Sequence, residues 1–115
     1  MNKLTNIFKV LSDETRMRII ILLYQKELCV CELVEILKVP QSKISRNLSK
    51  LRDIDFVIFN RREKFIFYSL KKDNKVLINV IRNILEDIEE YEDVLEDQKK
   101  LVGIDNVLIK CDYKN

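Results

Sequence analysis

Apolar residues recur at helical spacing along most of this chain and give way to β-rich runs only between residues 56 and 68. Leu4, Ile7, Phe8 and Leu11 predict a short first helix. Ser12 and Asp13 can cap a second, which starts at Glu14 and carries Met17, Ile20, Ile21, Leu23 and Tyr24 on an apolar face. Leu33, Val34, Ile36 and Leu37 predict a third helix that stops near Val39, because Pro40 disfavours a helical residue before it. Gln41 and Ser42 open a fourth, with Ile44, Leu48 and Leu51 inward and Lys43, Ser45, Arg46, Asn47 and Lys50 on its other sides. Residues 56–59 and 65–68 read as two strands, joined through residues 60–64 as a hairpin with a charged tip and no glycine to ease the turn. From about Lys75 to Lys100, Leu77, Ile81, Ile84, Ile88, Tyr91 and Leu95 form a near-heptad stripe, which predicts one long final helix. Residues 103–115 read as a tail, so residues 1–102 form the single predicted domain.

Composition agrees with this mainly α reading. The chain has 115 residues with one glycine and one proline, which suits helices joined by short turns better than a sandwich or barrel. No apolar run approaches the roughly 20 residues of a membrane span. The N-terminus lacks a signal-peptide core, so a cytoplasmic location is expected. An odd cysteine count of three fits a reducing compartment. Histidine is absent, which removes the commonest general base, zinc ligand and pH switch together. With no glycine-rich phosphate loop and no nucleophile–base pair either, an enzyme is not expected.

Charge changes the picture more. Residues 1–75 hold 16 Lys and Arg against 9 Asp and Glu, whereas residues 76–115 hold 5 against 10. A basic front and an acidic rear point to a polyanion on one side. The order of elements sharpens this. A helix, a helix–turn–helix and then a basic hairpin form the winged-helix arrangement. Gln41, Ser42, Lys43, Ser45, Arg46, Asn47 and Lys50 are the side-chain types that reach base edges and phosphates. Arg61, Arg62 and Lys64 would make the wing contact.

The other constellation is Cys29-Val30-Cys31. Two thiols one residue apart can chelate a soft ion as thiolates. On an ideal helix they diverge by about 200°. Both can face one ion only if the start of the third helix distorts, which would strain the DNA-reading unit. The alternative is that both are small buried hydrophobes.

The stretches at residues 8–19, 27–33 and 41–51 resemble the ArsR/SmtB family of metal-responsive repressors, over about 60 of the 115 residues. Glu27-Leu28-Cys29-Val30-Cys31-Glu32-Leu33 is similar to the metalloid box of its arsenite-responsive branch. The resemblance implies a dimeric winged helix-turn-helix, a homodimer through the first and last helices, and a palindromic operator. It also implies release of DNA on binding arsenite or antimonite, or cadmium or lead in some relatives, with no organic cofactor and no membrane. The ligands would be Cys29 and Cys31, with Cys111 as a third. The chain departs from the family at three places. Val34 stands where a third box cysteine is common, no histidine exists for the zinc site of the last helix, and Arg46-Asn47 replaces a frequent His-His pair. Redox or persulfide sensing by the same thiols, and a winged helix that binds protein instead of DNA, are the competing readings.

Overall fold

A computed structural model describes residues 3–104. Helix α1 (Lys3–Leu11) leads into α2 (Glu14–Gln25), whose N-cap Asp13 accepts the Arg16 N–H at 3.0 Å. Such a cap satisfies one of the donors that a helix start leaves open. Helix α2 runs through the centre of the molecule, and Ile19 to Leu23 are five successive buried residues. The two-residue strand β1 (Leu28–Cys29) then feeds α3 (Val30–Leu37). Lys38 closes α3 in the left-handed region, φ 55°, and its N–H bonds the Val34 carbonyl. Pro40 follows and caps α4 (Gln41–Asp53), its carbonyl accepting the N–H groups of Lys43 and Ile44.

Strands β2 (Val57–Arg62) and β3 (Phe65–Leu70) form the expected hairpin, which turns through Glu63 at φ 56° in place of a glycine. Strand β1 was not expected. It adds to the far side of β3 in the order β1-β3-β2, all antiparallel, with Leu28 opposite Tyr68 and Cys29 opposite Phe67. The cysteine segment is thus one edge of the wing's own sheet. The fold is mainly α with a small antiparallel sheet, as the sequence predicts.

The last helix corrects the sequence reading. The expected single helix over residues 75–100 is two helices, α5 (Lys75–Glu86) and α6 (Glu92–Val102), separated by a 3-10 turn at Ile88–Glu90. Electrostatics supply a reason. A continuous helix would carry Glu86, Asp87, Glu89, Glu90, Glu92 and Asp93 through its middle. The break places Glu92 and Asp93 in the first turn of α6, where the helix dipole favours anions. It also returns α6 to the core. Val94, Leu101 and the following Ile104 are buried, and Asp97 takes Arg18 of α2 in a two-point pair at 2.7 and 2.8 Å. That hydrogen bonding raises the Arg18 pKa against the opposing effect of burial. Lys100 Nζ donates to the Ile36 carbonyl at 3.4 Å, so α6 touches α3 as well. Among the described residues, no helix is long and apolar enough to cross a membrane.

Candidate nucleic-acid interface and thiol site

Helix α4 buries Ile44, Leu48 and Leu51, and this inward row sorts the rest of its side chains. Lys43, Arg46 and Lys50, spaced i, i+3, i+7, share one exposed side. Gln41 and Ser45, one turn apart, face the opposite flank, where they help line a recess of about 440 Å³ against α3 and β3. Ser42 is exposed between the two sets. Asn47 is the exception among the expected readers. It sits three residues after Ile44, so the helix carries it inward, where it is buried and its amide donates to the Lys43 carbonyl at 3.0 Å. A side chain so placed and so engaged does not reach a base edge, and Asn47 leaves the reading set.

The wing divides in the same way. Arg61 and Lys64 are exposed near the tip, and the Lys64 ammonium lies 5.9 Å from the centre of the Phe65 ring. Arg62 is instead drawn back onto the sheet. It pairs with Glu27 just before β1, and its guanidinium lies 4.0 Å over the ring of Phe67. Sequence gave it the same role as Arg61. The structure makes it a clasp between the cysteine segment and the wing, thirty-five positions apart in the chain. Nearby, Arg52 of α4 stacks over exposed Phe59 at 5.3 Å, joining α4 to β2.

The two box cysteines have different environments. Cys29 is 2% exposed and is the N-cap of α3. It forms a reciprocal capping box with Glu32, whose carboxylate accepts the Cys29 N–H at 3.0 Å. Burial pushes the Cys29 thiol up to about 11; the Glu32 carboxylate adds to the rise and the Glu32 N–H opposes it. At neutral pH it is a protonated core residue. Cys31, in the first turn of α3, is half-buried and lines the recess shared with Gln41 and Ser45. The expected third ligand, Cys111, lies outside the described residues. Among the described residues, no group of three or more Cys, Asp or Glu converges as a metal site.

The fold has counterparts. The sequence profile of the bacterial regulatory protein family arsR matches residues 13–58. The arsenical resistance operon repressor of Staphylococcus aureus is 32% identical over 82 residues, which cover 71% of this chain and 77% of that protein. The chain belongs to the ArsR family. A second relative of this ArsR-family chain, the arsenic resistance transcriptional regulator ArsR1 of Pseudomonas putida, is 42% identical over 65 residues, covering 56% of this chain and 51% of the relative. The chain thus spans about half the length of the first curated relatives it matches. Among solved structures, the AntR antimony-specific transcriptional repressor superimposes with a TM-score of 0.64 at 26% identity, over 78% of this chain and 80% of that one. The winged helix-turn-helix reading therefore holds for this member.

Proposed function

We propose that this chain is a dimeric transcriptional repressor that binds a palindromic operator and releases it when a thiol-seeking metalloid, arsenite or antimonite, binds at Cys29 and Cys31. Cadmium or lead are further inducers to test. The observation that carries the reading is the shared recess: Cys31 of α3 and Gln41 and Ser45 of α4 line one space, so a change at the thiol is felt beside the reading helix. The names of the arsenic- and antimony-responsive relatives support the choice of ion.

In this reading Gln41, Ser42, Lys43, Ser45, Arg46 and Lys50 read or hold DNA, with Arg61 and Lys64 at the wing. The reduced Cys31 thiol is the accessible first ligand. Cys29, buried at the wall of the same recess, joins it by moving outward and giving up the proton that burial makes it hold. Each thiol replaces a hydroxide on the metalloid, and its proton leaves with that hydroxide as water. Drawing Cys29 outward breaks the capping box with Glu32 and the pairing with Phe67, so α3 loses its start and the wing sheet its edge. The inducer acts on affinity because it binds this opened arrangement better than the closed, DNA-reading one. Cys111 is the proposed third ligand, and a hydroxide or small thiol is the alternative.

A second reading uses the same thiols as a redox or persulfide sensor, their oxidation releasing the operator. Fluorescence anisotropy of a labelled palindrome from the upstream region, under reducing conditions, separates the two. Release by arsenite or antimonite and not by zinc is expected. Tight binding indifferent to every ion, with release by peroxide alone, contradicts metalloid sensing.

A further inference from the structure

On the flank of α4 away from the thiols, three helices bring three cations to one place. Lys9 near the end of α1, Arg16 in the first turn of α2 and Lys50 of α4 line a recess of about 350 Å³, with Asn6 and Asp53 beside them. Lys9 and Lys50 are exposed. The Arg16 Nε–H is buried and lacks an acceptor. Its nearest carboxylate oxygen, Asp13 Oδ2, lies at 3.7 Å and already accepts the Arg16 backbone N–H at 3.0 Å. A buried donor without a partner is rare in a finished fold and marks a place where an acceptor is expected.

The position of the recess indicates which acceptor. Lys50 ends the basic row Lys43, Arg46, Lys50, so the recess continues the cationic side of α4 onto α1 and α2. We infer that Lys9, Arg16 and Lys50 grip the sugar–phosphate backbone of the DNA that α4 reads, extending the interface to the α1–α2 junction. The inference rests on the DNA-binding reading above. A phosphate oxygen at the mouth of the recess accepts from the Arg16 guanidinium as its buried Nε–H turns outward, and the two lysines neutralise its charge. Asp53 and Asp13 oppose an anion there, so the lysines are required as well as the guanidinium. Phosphate contacts set register and affinity without reading sequence, so this site acts equally on all duplexes.

The test is anisotropy with the labelled palindrome and a scrambled duplex of equal length, between about 50 and 200 mM salt. Lys9→Gln and Lys50→Gln should each weaken binding to both duplexes by the same factor. Each should also lower the slope of log affinity against log salt by about one. Arg16→Lys, which keeps the charge and removes the Nε–H, should keep the slope near that of the parent while weakening both duplexes. Lys99→Gln, on α6, removes a charge at the acidic rear and should leave the slope alone. Thermal unfolding of every variant checks that the fold is retained. Parent-like slopes for Lys9→Gln and Lys50→Gln overturn the backbone grip and leave the operator reading intact. An equal slope loss from Lys99→Gln also overturns it, because net charge alone would then be acting. A parent protein that binds neither duplex overturns the DNA-binding reading and the grip with it.

Discussion

The two flanks of α4 differ in chemistry. On one side Lys43, Arg46 and Lys50 present charge to solvent, backed by Lys9 and Arg16 from helices that carry no thiol. On the other side Gln41 and Ser45 present uncharged polar groups to a recess walled by Cys31 and β3. In the proposed reading, affinity for a polyanion comes from the first flank and grows with each phosphate contact. Control is proposed for the second, where a buried cap, a two-residue strand and one ion pair hold the cysteine segment against the wing. The contrast teaches how a small domain can let go of DNA without dismantling its charge. It need only disturb the flank that sets the position of α4.

The largest expected effect that tests this contrast is a pH dependence confined to the thiol flank. An unfolded cysteine titrates near about 8.5, whereas the buried Cys29 thiol holds its proton to about 11. The unfolded chain therefore loses that proton first. The stability contributed by Cys29 is whole below the unfolded value and is lost as pH rises from there through the folded one, a total on the order of 3 kcal/mol. Urea unfolding between about pH 8 and 10.5 should show this decline, and Cys29→Ala should flatten it. A decline of equal steepness in that variant would assign it to other groups. Next in size is Arg46→Gln on the cationic flank. If Arg46 reads a base, the operator should lose about 1–3 kcal/mol while a scrambled duplex loses much less. Equal losses on both duplexes would demote Arg46 to a backbone contact. The smallest effect separates two neighbours on the wing. Arg61→Gln should lower the salt slope by about one, whereas Arg62→Gln should leave the slope unchanged and cost about 0.2–1 kcal/mol of stability, as expected for an exposed ion pair. Equal slope changes would mean that Arg62 leaves Glu27 to meet DNA.

Local patterns carried much of this structure. Helices α1, α2 and α4 and the hairpin lie where apolar periodicity places them, because each buries one continuous face. Asn47 was misplaced: the sequence reading set it outside the row Ile44, Leu48, Leu51, whereas it lies at the edge of that row and is buried. Other features were missed. Strand β1 exists because Leu28 and Cys29 meet Tyr68 and Phe67, 40 and 38 positions later. Arg62 is held by Glu27, and Arg18 by Asp97, a pair 79 positions apart that helps seat α6. The break between α5 and α6 lay hidden because Ile84, Ile88, Tyr91 and Leu95 keep helical spacing across it, while the acidic residues between them decide where a helix can begin. In the thiol site, the divergence expected of two helical residues does not apply, because Cys29 lies in β1 and both thiols line one recess. That one of them is a buried cap depends on the strand that sequence did not reveal.

The most direct measurement of the central claim compares the parent chain with Cys31→Ser. Each would be bound to the labelled palindrome under reducing conditions and titrated with arsenite. Equal operator affinity is expected without arsenite. With arsenite, the parent should drop within the roughly 5–150-fold range of ordinary allosteric coupling, and the variant should not drop. Release of Cys31→Ser at the same arsenite concentration as the parent would contradict thiol sensing, and would place the control of this chain away from the thiol flank of α4.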